Sequence, residues 1–274
     1  MGELEKKSVD NILEVKDLKV WFPVRKGVFG FIAGYIKAVD GISFNLKRGE
    51  TLGVVGESGC GKSTTSRAIL LLNKPRSGSI TIDGVDITRV SGARLMEYRR
   101  KVQVVFQDPQ ASLNPRHTVM EILTEGMVYH GLCRKEERRA KAIELLEAVG
   151  MPTDILDRYP HEFSGGQRQR LCIARAIALK PELLICDEAV SALDLTIRAQ
   201  VLDLLGDLKK KLGLSMIFIT HDIGVVQHVA DRIIVMNKGR IVEEGTCEQV
   251  LGNPREEYTK YLMASVPKIG KPLS

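Results

Sequence analysis

Residues 56–63 read Gly56-Glu57-Ser58-Gly59-Cys60-Gly61-Lys62-Ser63, with two glycines five positions apart followed by Lys and Ser. This spacing is typical of a loop whose backbone N–H groups surround a polyphosphate. An apolar run precedes the loop at residues 51–55 and a second run follows from Thr64 to position 72, so the pattern predicts a buried strand, a turn and a helix. In that setting the helix N-terminus attracts phosphate, Lys62 neutralises its charge and the Ser63 hydroxyl can ligate Mg²⁺.

The composition predicts one soluble protein of a reducing compartment. A chain of 274 residues with 44% hydrophobic residues can bury one substantial core, or a core with a small inserted subdomain. Its apolar runs are shorter than the ~18 residues that cross a bilayer, and the N-terminus is unlike a secretory signal. The five cysteines are odd in number and form no C-x-x-C pair, which favours the cytosol.

The net charge of +6 permits nucleic-acid binding but does not indicate it. The basic clusters at residues 99–101, 134–139 and 209–211 alternate with acids or with apolar residues at helical spacing. We therefore interpret them as solvated helix faces and expect no nucleic-acid partner.

The first part of the chain predicts an antiparallel sheet. Residues 12–22 and 38–46 have strand character, and a glycine-containing loop is expected between them at residues 23–37. A hairpin is expected at residues 79–87 around the turn Asp83-Gly84. The strand predicted at residues 102–106 is followed by a helical insertion over about residues 108–163, which includes a helix at 134–149 that Gly150 ends.

The remainder alternates helices with strands, which predicts a largely parallel sheet covered by helices. The predicted helices are residues 167–179, 196–212 and 222–230, and the predicted strands are 183–187, 215–220, 233–236 and 240–243. The expected fold is α/β, with a P-loop core and mainly parallel sheet, an N-terminal antiparallel β subdomain and an inserted helical subdomain. The expected domains are one ATPase domain over residues 1–266 and a short tail at 267–274.

Two carboxylates follow the strand predicted at residues 183–187. Asp187 and Glu188 therefore lie at the carboxyl end of a buried strand, where α/β folds bind ligands. Asp187 suits Mg²⁺, and Glu188 points to the opposite side, where it can polarise a water for attack on a γ-phosphate. The alternative is a pair that only caps the strand end.

Ser164-Gly165-Gly166-Gln167 starts a predicted helix and offers a second anion site without a lysine, although ordinary helix capping explains it equally well. Placed about 20 residues before the acidic strand, this tetrapeptide resembles the signature of ABC-type ATPases. The resemblance implies that the signature contacts ATP of a partner subunit in a head-to-tail dimer. It also implies ATP and Mg²⁺ as ligands, with Mg²⁺ held by Ser63, Gln107 and Asp187.

Further residues acquire roles from this resemblance. Gln107 resembles the glutamine that touches Mg²⁺ and senses the transmembrane partner, and His221 resembles the histidine that contacts the γ-phosphate. Asp194, in Ser191-Ala-Leu-Asp194, resembles the aspartate at the subunit junction. The nucleotide-binding set is residues 56–64, from Gly56 to Thr64, together with Phe22, which is expected to close the first strand and stack on adenine. Trp21, Phe29, Phe31 and Tyr35 are the alternatives for that stack.

Three stretches resemble the ATP-binding subunits of peptide and nickel importers. They are residues 107–115, residues 158–166 and the tail at 253–262 that continues to Val266-Pro267. The resemblance implies a subunit at the cytoplasmic face of the membrane, with a second ATP-binding subunit, two transmembrane permease subunits and an extracytoplasmic solute-binding protein as partners. Whether the second subunit is a paralogue or a second copy is left open.

The sequence departs from the family at two places. Ala189 stands where relatives have proline, and the chain has no cysteine-rich tail before Ser274, so we expect no iron–sulfur cluster. Oligopeptide or dipeptide is the expected solute, with nickel and oligosaccharide as alternatives because this subunit touches no cargo. The rival functions are a nucleic-acid-maintenance ATPase, which the absence of a long heptad coiled coil disfavours, and a non-catalytic regulatory subunit, which the complete set of reactive residues disfavours.

Overall fold

The computed structural model describes residues 10–27 and 31–264, which form ten strands and ten α-helices. The strands are β1 (Asn11–Lys26), β2 (Phe31–Lys47), β3 (Thr51–Val55), β4 (Ser77–Ile82), β5 (Val85–Asp86), β6 (Val102–Val105), β7 (Leu183–Asp187), β8 (Ser215–Thr220), β9 (Arg232–Asn237) and β10 (Arg240–Thr246). The helices are α1 (Lys62–Ile69), α2 (Gly92–Lys101), α3 (Pro109–Ser112), α4 (Val119–Tyr129), α5 (Arg138–Ala148), α6 (Gly165–Ile177), α7 (Leu195–Leu212), α8 (Ile223–Val229), α9 (Cys247–Gly252) and α10 (Glu257–Ala264).

The strands form two sheets, as the sequence predicts. A four-stranded antiparallel sheet has the order β2-β1-β4-β5, and a six-stranded sheet has the order β10-β9-β3-β8-β7-β6. In the larger sheet only the pairing of β10 with β9 is antiparallel. The fold is therefore a mixed α/β P-loop core with an N-terminal antiparallel sheet and a helical insertion between β6 and β7.

Strand β7 shows how one run of apolar residues serves both faces of the larger sheet. Because side chains alternate along a strand, Leu183 and Ile185 face one side and Leu184 and Cys186 face the other. The first pair joins the core between α1 and the antiparallel sheet, and the second pair joins the core beneath α4, α5, α6 and α7. All five residues of β7 are buried, which places its last residue, Asp187, against the protein interior.

The loop predicted at residues 23–37 is wrong over its described part. Strand β1 continues to Lys26 and β2 begins at Phe31, and the two pair as a ribbon in which Trp21 lies opposite Lys37 and Pro23 opposite Tyr35. Phe22 therefore does not end the first strand. The ribbon is held by Arg76, whose guanidinium lies 4.8 Å from the centre of the Trp21 ring and 4.5 Å from that of Tyr35.

The helical insertion contains α3, α4 and α5, all within residues 108–163. The helix predicted from residue 134 differs at its start, because Lys135–Glu137 form a 3-10 turn before α5 begins at Arg138. Among the described helices none is both long and apolar enough to cross a bilayer. The domain boundaries stay a prediction, and residues 265–274, with the predicted tail and Val266-Pro267, lie outside the described residues.

Candidate functional site

The phosphate loop between β3 and α1 fits a space that only glycine allows at two positions. Gly56 has φ +154°, and a Cβ there would lie 2.3 Å from the carbonyl oxygen of Met236. Gly61 has φ +111°, and a Cβ there would lie 2.4 Å from the carbonyl oxygen of Ala38. Both distances are shorter than real Cβ contacts. Because these two glycines have no side chain, the loop can lie close to the end of β9 and to β2.

Lys62 is 4% exposed although it carries a charge, because it is satisfied inside the loop. Its ammonium donates to the carbonyl oxygens of Gly56 at 2.6 Å and Glu57 at 2.8 Å. The N-terminus of α1 is capped by Gly61 in the left-handed conformation without a side-chain hydrogen bond. Lys62 and the N–H groups of the first turn therefore concentrate positive charge on the inner side of the loop.

Asp187 connects the end of β7 to the phosphate loop. It is 6% exposed, and its Oδ1 accepts a hydrogen bond from the Ser63 hydroxyl at 3.0 Å while its Oδ2 accepts one from the Ser66 hydroxyl at 2.7 Å. The described residues hold no cluster of three or more His, Cys, Asp and Glu side chains that could bind a metal. A hydroxyl and a carboxylate oxygen side by side instead fit Mg²⁺, which takes a few protein oxygens and completes its shell with phosphate and water.

Glu188 turns the chain at the end of β7. Its φ is +51°, in the left-handed region that glutamate rarely adopts, and its N–H donates to the carbonyl oxygen of Ile219 on β8 at 2.9 Å. Its Oε1 lies 3.6 Å from Nδ1 of His221, the residue that follows β8. The two neighbouring carboxylates therefore have different partners. Asp187 is hydrogen-bonded to α1, and Glu188 faces His221, which follows β8.

Gln107 lies two residues beyond β6, at the edge of the sheet where Asp187 ends β7, because Val105 pairs with Cys186. It is exposed and lines a cavity of about 200 Å³ together with Gly165 and Ala189. The cavity thus brings together the loop after β6, the start of α6 and the segment after Glu188. Gln169, 1% exposed, also lines it, and among the described residues neither of its amide atoms has a hydrogen-bond partner.

The tetrapeptide at residues 164–167 forms the N-terminus of α6, and its two ends cap one another. The Ser164 hydroxyl accepts from the N–H of Gln167 at 3.3 Å, and the Gln167 side chain accepts from the N–H of Ser164 at 3.0 Å. A Cβ on Gly166 would lie 2.5 Å from Ile197, so the glycine permits α6 to approach α7. Asp194 is exposed and caps α7 by accepting from the N–H of Ile197 at 2.9 Å.

Phe22 lies on the exposed ribbon of β1 and β2, is 40% exposed and pairs opposite Ile36. Of the alternatives for adenine stacking, Trp21 and Tyr35 have their rings against Arg76. Phe31 is 72% exposed, and Phe29 lies outside the described residues.

Two residues that contact the site were missed by the sequence reasoning. Ser66, which holds Asp187, lies one turn after Ser63 on α1, and this i,i+3 spacing of hydroxyls was the signal that could have found it. Tyr258, 201 positions from Glu57, has its hydroxyl 3.1 Å from the Glu57 N–H, and no local pattern announces such a contact.

A phosphate loop between strand and helix, with a buried aspartate and a second acid at the end of another parallel strand of the same sheet, defines a P-loop nucleoside triphosphatase. The family model described as ABC transporter matches residues 39–191, more than half of the chain. The chain belongs to the ABC transporter family and is an ATPase of that family.

Its relatives include ATP-binding proteins of peptide transport. The dipeptide transport ATP-binding protein DppF of Escherichia coli is 48% identical over 94% of this chain and 77% of its own. The oligopeptide transport ATP-binding proteins AppF and OppF of Bacillus subtilis are 49% and 47% identical, each over 94% of this chain and over 79% and 83% of their own.

Solved structures share the fold. The dimeric post-hydrolysis structure of the ATP-binding cassette MJ0796, bound to ADP and Pi, has a TM-score of 0.75 and 30% identity over 86% of this chain and 98% of that one. The structure of cbiO1 from Clostridium perfringens, part of the cbiONQ transporter complex, has a TM-score of 0.75 and 31% identity over 89% of this chain and 92% of that one.

Proposed function

We propose that this chain is the ATP-hydrolysing subunit of a membrane importer for oligopeptides or dipeptides. The observation that carries the proposal is the end of β7, where Asp187 is joined to Ser63 and Ser66 of the phosphate-loop helix while Glu188 faces His221. An ATPase needs these two acids in two different roles, one at the metal and one at the attacking water. The names of the relatives supply the class of solute.

In this proposal the N–H groups of residues 56–64 and the Lys62 ammonium bind the phosphates, and Phe22 stacks on adenine. Ser63, Asp187 and Gln107 would hold Mg²⁺, which would supply positive charge to the bound phosphates. The buried position of Asp187 and its hydrogen bond from Ser63 support its part in this set.

Glu188 is proposed as the general base and His221 as a contact to the γ-phosphate. A carboxylate that accepts a proton from water makes the oxygen a better nucleophile for in-line attack, which typically contributes about 10²- to 10⁴-fold to the rate. The distance of 3.6 Å between Glu188 and His221 supports a shared task, because the imidazole can orient the carboxylate or contact the γ-phosphate that the activated water attacks.

The working unit is proposed to be a head-to-tail dimer with a second ATP-binding subunit. Ser164, Gly165, Gly166 and Gln167 would contact ATP held by the partner, and Asp194 would lie at the junction. The exposure of Asp194 and the dimeric cassette among the solved structures support this arrangement. Two permease subunits would hold the dimer at the cytoplasmic face of the membrane, near Gln107, and receive solute from an extracytoplasmic binding protein.

Glu188→Gln tests the proposal. The amide keeps the size of the side chain but cannot accept the proton, so we expect peptide uptake and phosphate release by the assembled transporter to fall about 10²- to 10⁴-fold. ATP binding should survive, and the variant should accumulate as a closed dimer in size-exclusion chromatography with light scattering. Glu248→Gln on α9 is the matched control and should hydrolyse ATP normally.

Hydrolysis by Glu188→Gln at the wild-type rate would refute the base assignment. A variant that hydrolyses nothing yet stays monomeric with ATP and every partner subunit would refute the dimer. Uptake of nickel but not of peptide by the wild-type transporter would refute the class of solute.

A further inference from the structure

The C-terminal helix α10 touches the phosphate loop. Residues 253–262 lie beyond the part of the chain that the family model matches. The Tyr258 hydroxyl accepts a hydrogen bond of 3.1 Å from the N–H of Glu57. Glu57 is the second residue of the loop, so α10 contacts the loop through the N–H of that residue.

The ring of Tyr258 extends this contact to the strand before the loop. Tyr258 and Leu262 pack against a buried cluster made of Val55, Val226, Ile233, Val235 and Val250. Val55 is the last residue of β3 and directly precedes Gly56. The Tyr258 side chain therefore packs against the cluster that contains the residue before the loop, and it hydrogen-bonds to the loop itself.

The start of α10 is fixed to strand β10 by a carboxylate. Glu243 accepts hydrogen bonds from the N–H groups of Arg255 at 2.9 Å and Glu256 at 3.2 Å. Burial raises the pKa of Glu243, but the neighbouring Thr259 hydroxyl and the hydrogen bonds from these two N–H groups lower it overall, below the ordinary value of a glutamate. Thr259 is 2% exposed. The helix is thus held at its first turn while Tyr258 reaches the loop.

Tyr258 and Lys62 hold the two edges of the same peptide group. The carbonyl of Gly56 and the N–H of Glu57 belong to one planar unit, and the carbonyl accepts from Lys62 at 2.6 Å while the N–H donates to Tyr258 at 3.1 Å. Rotation of this unit would break both bonds. Because Gly56 lies on one side of the peptide group, its backbone can rotate easily. The orientation of the peptide group therefore depends on its two hydrogen-bond partners, Lys62 and Tyr258.

We propose that α10 is a strap on the phosphate loop and that Tyr258 is a positioning residue for phosphate binding. The Tyr258 hydroxyl fixes the peptide between Gly56 and Glu57, and that peptide fixes the ammonium of Lys62. The inference rests on the proposed role of Lys62 at the phosphates. It assigns to the C-terminal segment a part in nucleotide affinity.

Tyr258→Phe is the test, because it removes the hydroxyl and keeps the ring that packs against this buried cluster. The full chain is titrated with a fluorescent ATP analogue, and tripolyphosphate, which has no base, is used as competitor. We expect both ligands to bind about 3- to 10-fold more weakly, the range of one lost hydrogen bond. The thermal midpoint without ligand should stay at the wild-type value, which a merely structural role would lower.

Three variants sharpen the result. Tyr129→Phe removes a hydroxyl from an exposed tyrosine on α4 and should change nothing. Phe22→Ala should weaken the ATP analogue but leave tripolyphosphate unchanged. Glu243→Gln, which weakens the anchor of α10, should reproduce the direction of Tyr258→Phe.

Wild-type affinity for tripolyphosphate in Tyr258→Phe, together with loss of binding in Lys62→Ala, would overturn the strap and leave the proposed function intact. Unchanged binding in Lys62→Ala would instead remove the basis of both.

Discussion

The N-termini of α1 and α6 are both proposed to bind phosphate, yet they are built in opposite ways. Helix α1 begins at a left-handed glycine without a side-chain cap, and Lys62 adds a buried charge next to it. Helix α6 begins with Ser164 and Gln167 bonded reciprocally, so the N–H groups of these two residues already have partners. An uncapped helix end offers all of its first N–H groups to an anion, whereas a capped one offers fewer. The difference fits a nucleotide that binds first at α1 and later meets α6 of another subunit.

Among these substitutions, Lys62→Ala at the start of α1 should have the largest effect, a loss of nucleotide affinity. Removal of a buried charge from an ionic contact weakens binding by about 100-fold or more. Titration of the isolated subunit with a fluorescent ATP analogue measures this. Affinity within a factor of about two of the wild type would mean that the loop N–H groups suffice without the ammonium.

Two glycine substitutions test whether the start of α1 and the start of α6 have room for a Cβ atom. Gly61→Ala should destabilise the protein by about 1 to 3 kcal/mol, because its φ of +111° strains an L-residue and its Cβ would meet Ala38. Gly165→Ala is the matched control, since a Cβ there meets nothing within 4 Å. Urea denaturation of both variants gives the difference. Equal midpoints for the two variants would show that the phosphate loop relaxes around the methyl group.

Ser164→Ala should have a smaller effect on stability and a selective one on function. Loss of the cap of α6 costs about 0.5 to 2 kcal/mol in urea denaturation. The isolated subunit should still bind the ATP analogue with wild-type affinity, while ATPase activity that depends on the dimer falls. A weaker affinity in the monomer would place Ser164 at the nucleotide of its own chain.

The smallest effect concerns the thiol of Cys172, inside α6, and its rate of chemical labelling. Burial raises the pKa of the Cys172 thiol to about 11, so at about pH 8 roughly one thiol in a thousand is ionised. Iodoacetamide should therefore leave Cys172 unlabelled in the native protein and label it in urea, as peptide mass spectrometry reports. Fast native labelling would show that α6 opens.

The sequence predicted strand bounds most accurately where all residues of the strand are buried. Strands β7 and β8 have the predicted bounds because each is a continuous apolar run with buried residues throughout. Asp187 and Glu188 were predicted at the carboxyl end of a buried strand, and His221 came from the family resemblance. The parallel pairing of β3, β8 and β7 brings these residues and the phosphate loop to one edge of the sheet.

The ribbon of β1 and β2 escaped the same reasoning. Pro23, Gly27 and Gly34 are typical of turns, and exposed residues such as Ile36 show no alternation that a buried face would impose. The ribbon is also contacted from outside by Arg76, which lies against the rings of Trp21 and Tyr35. Tyr258 escaped for the same reason, since its contact joins residues far apart in the chain.

The left-handed backbone of Glu188 has a consequence for selection. A side chain at φ +51° costs about 1 kcal/mol relative to glycine, so the carboxylate that we propose as the general base occupies a position where glycine would be more stable. Screens that select only for heat resistance should therefore enrich Glu188→Gly, and the survivors should be inactive. In thermostable variants of this protein, residue 188 should be sequenced first, and ATPase activity should be measured in any variant that has lost the glutamate.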